Sequence, residues 1–101
     1  CIKRADALAK ELDGYRPDQF SNILNSECHY IHTAVEILND LEGISLGGFV
    51  SGIGSGGTIM GIGKRLKEQF PDILVVFRNS SVRRKITCFT HLQTLSHILQ
   101  R

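Results

Sequence analysis

Gly54-Ser55-Gly56-Gly57-Thr58 sets three glycines and two hydroxyl side chains in five consecutive positions, between an apolar run and an amphipathic one. A glycine-rich turn between a strand and the start of a helix presents backbone N–H groups at the positive end of a helix dipole, and such a place binds anions. Side chains on the turn would hold an anion away from those groups, so glycine at Gly54, Gly56 and Gly57 permits close approach. The hydroxyls of Ser55 and Thr58 add two donors. A plain turn needs only one or two glycines. The five residues are therefore read as a phosphate cup.

Two phosphate chemistries compete at this point. A Walker-type loop needs lysine followed by Ser/Thr after its last glycine, whereas Gly57 is followed by Thr58-Ile59, which disfavours a nucleoside triphosphate. The dinucleotide fingerprint G-x-G-x-x-G is satisfied literally by Gly52, Gly54 and Gly57. That fold also needs an acid about twenty residues on for the ribose, and the corresponding positions are Phe77, Arg78 and Asn79. Arg78 would have to meet a 2′-phosphate instead, so an NAD(P)-type domain stays open as an alternative. A non-catalytic module that binds a phosphate ligand or a partner is the other.

Cys28, His29 and His32 stand at helical spacing but supply too few ligands for a zinc site, and they read better as helix-surface residues. Three cysteines form no paired framework, which points to reduced thiols and a cytoplasmic setting. No apolar run reaches about 18 residues, so no membrane span is expected. The net charge of +2 hides an asymmetry: residues 1–77 carry seven Lys/Arg and ten Asp/Glu, whereas residues 78–101 carry five Lys/Arg and no acid. That basic stretch has one aromatic, Phe89, and no recognition motif, so nucleic acid is not an expected partner. A chain that starts at Cys1 and holds its one methionine at Met60 reads as an internal piece or a processed product.

The elements that must position the cup follow from periodicity. Ile2, Ala5, Leu8, Ala9 and Leu12 make an amphipathic helix that Asp13-Gly14 ends. Pro17 and two asparagines then argue for a short extended segment and a polar loop. A second helix is expected from Ser26, with Tyr30, Ala34, Ile37, Leu38 and Leu41 on one face and Gly43 as its stop. The run "ISLGGFVS" reads as a strand leading into the glycine turn. From Thr58 a helix places Ile59, Ile62, Leu66 and Phe70 in register, Pro71-Asp72 breaks it, and "ILVVF" is the next strand. Helices alternating with short buried strands predict an α/β fold with a parallel sheet. A last helix is expected over residues 90–100.

Two motifs in fixed order carry a resemblance. "PDQFSN…N…HY…T..EI" in residues 17–37 and "FVSGIGSGGTIMGIGKRLKE" in residues 49–68 resemble the cysteine synthase branch, with cystathionine β-synthase, of the pyridoxal-phosphate-dependent enzymes. The likeness covers about residues 2–76. It implies a partial three-layer parallel sheet with flanking helices, a fragment of the fold type II arrangement. It further implies that Gly54, Ser55, Gly56, Gly57 and Thr58 hold the phosphate of pyridoxal 5′-phosphate. Gln19 would then lie at the α-carboxylate of an amino-acid substrate, with Phe20 lining the pocket. The implied reaction is β-replacement on an activated serine in an enzyme that is commonly a homodimer.

The resemblance is incomplete. None of Lys3, Lys10, Lys64, Lys67 and Lys85 stands in the S-x-K context of the family's Schiff-base lysine. The main substrate-carboxylate loop and the serine facing the pyridine nitrogen are also missing from the sequence, so no catalytic residue is assigned and turnover by this chain alone is not expected. Ile23-Leu24 replaces a proline-containing stretch, and Ala34-Val35 replaces Gly-Pro before Glu36. From Arg78 the likeness stops, which divides the chain into a pyridoxal-phosphate-binding part, residues 1–77, and a divergent basic tail, residues 78–101, of the kind a frameshift or alternative splice produces.

Overall fold

The structure, a computed structural model, describes residues 2–79 and 86–89. The helix expected over residues 90–100 lies outside the described residues. Helix α1, Ile2–Glu11, is followed by a loop and then by a continuous rod made of α2 (Leu24–Cys28), a π-helical turn (His29–Thr33) and α3 (Ala34–Asp40). Strand β1, Gly48–Ile53, helix α4, Gly57–Gln69, and strand β2, Leu74–Asn79, form a strand–helix–strand unit. The two strands pair in parallel, from Gly48 opposite Leu74 to Ile53 opposite Asn79. Strand β3, Ile86–Phe89, adds to β2 in the antiparallel sense, giving the order β1-β2-β3. The α/β fold and its parallel pair agree with the sequence; β3 falls in the basic stretch where no strand was expected.

The core is small and follows the two periodicities. Ile59, Ile62 and Leu66 are the buried stripe of α4. Val75 and Phe77 are the buried alternate positions of β2, and Ile73 and Ala34 close the cluster. Phe49 and Ile53 of β1 pack against it from the same sheet face. On the other face Val50 remains 71 % exposed and Leu74 46 %. The described residues thus build two layers, helix on sheet, of the three-layer arrangement expected. Helix α1 contributes no buried residue. Among the described residues no helix is long and apolar enough to cross a membrane.

Boundaries moved where polar side chains intervened. In the stretch expected to be extended and then a polar loop, residues 14–18 form no strand and turns follow at residues 19–21 and 23, with the polar groups satisfied locally. Asp18 takes φ 45°, its carbonyl accepts the N–H groups of Ser21 (3.0 Å) and Asn22 (2.9 Å), and its carboxylate accepts from Arg16 and from the Ser21 hydroxyl. Asn22 Oδ1 accepts the Leu24 N–H at 3.0 Å, so the second helix begins at Leu24 and not at Ser26. The end of α1 at Asp13-Gly14 holds, with Asp13 in the left-handed region (φ 48°) and the Gly14 N–H returning to Ala9 O at 2.8 Å. Gly43, at φ 79°, follows the rod as expected.

The rod and α4 touch through backbone at Gly61. A Cβ placed there would collide with the carbonyl oxygen of Ser26 and come within 2.7 Å of His29 Cβ and 2.8 Å of Tyr30 N. Further along the same contact, the Tyr30 hydroxyl donates to Glu68 Oε2 (2.8 Å) and accepts from Arg65 (3.3 Å), while Lys64 lies 4.9 Å from the ring centroid. Gly61→Ala is expected to destabilise the chain by about 1–3 kcal/mol despite the better helix propensity of alanine. Gly47→Ala, where a Cβ meets nothing within 4 Å, should stay within about 0.5 kcal/mol of the parent. Urea midpoints compare the two; an unshifted midpoint for Gly61→Ala would remove the close contact.

Candidate functional site

Both parallel strands end at the same edge of the sheet, and in α/β proteins ligands bind outside the carboxyl ends of such strands. The glycine turn is at that edge. The chain leaves β1 at Ile53 and bends through Gly54 and Ser55. It enters α4 through Gly56, whose φ of 89° is a left-handed conformation that a Cβ would strain. The first helical bond runs from Met60 N to Gly56 O at 3.0 Å. The amides at the start of the helix therefore precede any intrahelical acceptor and point out of its N-terminus.

The three glycines of the turn are there for different physical reasons. Gly56 is fixed by its backbone conformation. A Cβ at Gly57 would overlap the side-chain amide of Asn25. A Cβ at Gly54 would meet nothing within 4 Å among the described residues, so no described neighbour requires glycine there.

Gln19, Phe20, Asn25, Ser55 and Gly54 line a single open cleft of about 470 Å³, together with Gly56 and Gly57. The two stretches singled out in the sequence thus meet in space. Asn25 joins them: its Nδ2 donates to Gln19 O at 2.9 Å and to Ser55 Oγ at 2.7 Å. The Gln19 loop is also held from its other side, where Arg16 pairs with Asp6 of α1 and with Asp18 (2.8 Å). Phe20 is 63 % exposed and stands at the cleft. Thr58 turns elsewhere, its Oγ1 lying 3.3 Å from His29 Nε2, while His29 Nδ1 lies 2.9 Å from Thr33 Oγ1. His29 is thus engaged by two threonines, and Cys28 and His32 are exposed on the rod.

Among the described residues no charged side chain lines the cleft. An anion there meets neutral donors and the N-terminal end of a 13-residue helix. A larger cavity, about 520 Å³, lies at the opposite end of α4 beside Leu38, Leu41, Arg65, Gln69 and Phe70. It faces the carbonyl ends of α3 and α4, where the dipole disfavours an anion, so its size does not make it the rival site. Arg78 is on β2 opposite Gly52 in the register.

Asn25 is the residue to which sequence reasoning gave no role, although it is the second asparagine of the first motif. Its i,i+6 bond to Gln19 and its bond to Ser55, thirty positions on, leave no periodic trace. The usable signal was a polar side chain one position into a helix, directly after a loop already marked for function.

Residues 1–96 match the family described as pyridoxal-phosphate dependent enzyme. A probable cysteine synthase of Bacillus subtilis (strain 168) is 48 % identical over 77 residues, 73 % of this chain and 25 % of that protein. A cysteine synthase of Staphylococcus aureus (strain Mu50 / ATCC 700699) is 41 % identical over 75 residues, 74 % of this chain and 24 % of that protein. The solved structure of O-acetylserine dependent cystathionine β-synthase from Helicobacter pylori superposes with a TM-score of 0.70 and 43 % identity, over 75 % of this chain and 25 % of that one. The chain spans about a quarter of the length of the curated relatives it matches. With the family match covering most of its length and a small parallel α/β unit that superposes on fold type II enzymes, the chain belongs to the pyridoxal-phosphate-dependent enzymes, whose cofactor is pyridoxal phosphate.

Proposed function

We propose that this chain supplies the cofactor-phosphate cup and part of the substrate-carboxylate pocket of a cysteine synthase-like enzyme that performs β-replacement on an activated serine. The observation that carries the reading is the shared cleft, in which the glycine turn at the start of α4 and the Gln19-Phe20 loop face each other. The residues fit pyridoxal phosphate on their own chemistry. Gly54 leaves open space beside the turn, Gly56 holds the left-handed bend, and the donors are uncharged, as suits a dianion carried by a helix N-terminus. Family membership and the relatives' printed activities support the same assignment.

Bound pyridoxal phosphate supplies an electron sink for the α-carbon of an amino-acid substrate. The part played by this chain is binding and orientation. Gly54, Ser55, Gly56, Gly57 and Thr58 would hold the phosphate through backbone N–H groups, with the Ser55 hydroxyl added. Because Ser55 Oγ already accepts from Asn25, its own proton is free to be donated to the anion. The Gln19 side-chain amide would donate to the substrate α-carboxylate without bringing a charge to the adjacent α-carbon, and Phe20 would wall the pocket against water. With no lysine in an S-x-K context, these 101 residues bind but do not turn over substrate. The complete enzyme acts as a homodimer, in the cytoplasm. Residues 78–101 are a divergent basic tail, a division supported by their acid-free composition.

Ser55→Asp places a carboxylate in the cup. One negative charge about 4 Å from another costs about 4 kcal/mol at an effective dielectric near ~20, so pyridoxal-phosphate affinity should fall by about two to three orders of magnitude. Equilibrium dialysis against the cofactor measures this, and an unchanged affinity refutes the loop assignment. In the complete enzyme Gln19→Ala should raise KM for the amino-acid substrate about tenfold or more while cofactor absorbance stays at the parent level; lost absorbance with an unchanged KM would move Gln19 out of the substrate pocket.

A further inference from the structure

We infer that Asn25 is a positioning residue that locks the glycine turn to the Gln19 loop, so that occupation of one anion-binding segment is transmitted to the other. This rests on the function proposed above and adds to it a coupling between its two halves. One primary amide has two N–H groups directed apart, and here each is used: one on Gln19 O at 2.9 Å, the other on Ser55 Oγ at 2.7 Å. Neither segment can shift without breaking a bond to the other's anchor. The anchor itself is firm. Asn25 N donates to Asn22 O at 3.1 Å, and Asn22 Nδ2 in turn donates to Pro17 O at 2.9 Å, which places Asn25 at the head of the rod.

Two further observations give the amide more than a packing role. Its donation to Ser55 fixes the polarity of that hydroxyl, which then has its proton to give outward; a hydroxyl that already accepts is the stronger donor. Gly57 is the socket for the amide, since a Cβ at that position would overlap Oδ1, Cγ and Nδ2 of Asn25 together. The overlap is with the end of a side chain, so Gly57→Ala would be accommodated by expelling the amide, at the expense of both bonds. The lining residues of the cleft among those described are uncharged, so their contribution to affinity depends on where these neutral donors point.

The experiment uses the full 101-residue chain labelled with ¹⁵N and titrated with inorganic phosphate, which has no ring to touch Phe20 and no aldehyde to react with lysine. Phosphate should move the amide signals of residues 54–58 and, along the same saturation curve, those of residues 19–21. Asn25→Ala should weaken phosphate about fivefold to tenfold and abolish the response at residues 19–21. Asn25→Asp keeps the shape but takes the Ser55 proton for itself, and should weaken phosphate further. Gly57→Ala should reproduce Asn25→Ala in the parent and add nothing in the Asn25→Ala background, whereas two merely structural defects would add. Additive losses, or a persistent response at residues 19–21 in Asn25→Ala, overturn the inference. If phosphate fails to move residues 54–58 in the parent, the proposed function fails, and the ligand-free chain still decides the lock. There Gly57→Ala must shift the signals of Ser55 and of residues 19–21 together; a shift of Ser55 alone overturns it.

Discussion

The arrangement depends on how closely helix α4 and the α2-π-α3 rod approach each other. Gly57 and Gly61 lie four positions apart, on one face of α4. At Gly61 the missing side chain lets the backbone of the rod come into contact, and at Gly57 it makes room for the amide of Asn25. Larger residues at these two places would push the rod outward and carry the Gln19 loop away from the glycine turn. The cleft is therefore a product of helix packing as much as of the turn. The buried apolar cluster of Ile59, Ile62, Leu66, Val75 and Phe77 holds α4 on the sheet but does not set this distance.

Such a construction explains why the glycines cannot be understood as a single set. Gly56 answers to backbone conformation, Gly57 to a neighbouring amide, Gly61 to a neighbouring backbone, and Gly54 to nothing among the described residues. The position with no internal cause is the one where space beside the turn is kept open. The neutral lining adds to this: among the described residues the helix N-terminus and oriented donors are the groups that can recognise an anion there.

Much of this was legible in the sequence. The stripe Ile59, Ile62, Leu66 and the alternation in "ILVVF" carry their periods locally, and both elements formed where the pattern put them. The glycine turn between them was equally readable, as was the resemblance that named the family. What could not be read depends on side chains meeting across the chain. Asp18, Asn22 and Arg16 satisfy the backbone and each other between residues 14 and 24, which sets the turns of the expected polar loop and moves the helix start to Leu24. The π-helical turn at His29–Thr33 coincides with the Gly61 contact, a tertiary event with no local signature. Asn25 was visible as a matched letter but not as a bridge, because its partners are separated from it by a loop and by the whole rod.

Tyr30 gives this close packing an optical signature. The chain has no tryptophan and two tyrosines, so its intrinsic ultraviolet emission comes from Tyr15 and Tyr30 alone. Tyr15 is 84 % exposed, whereas Tyr30 sits at the contact between rod and α4 with its hydroxyl on the Glu68 carboxylate at 2.8 Å. A phenol bound to a carboxylate is quenched, and a phenol released into water brightens. Separation of the two helices would therefore register as a rise in tyrosine emission, giving a label-free gauge of whether the walls of the cleft are together.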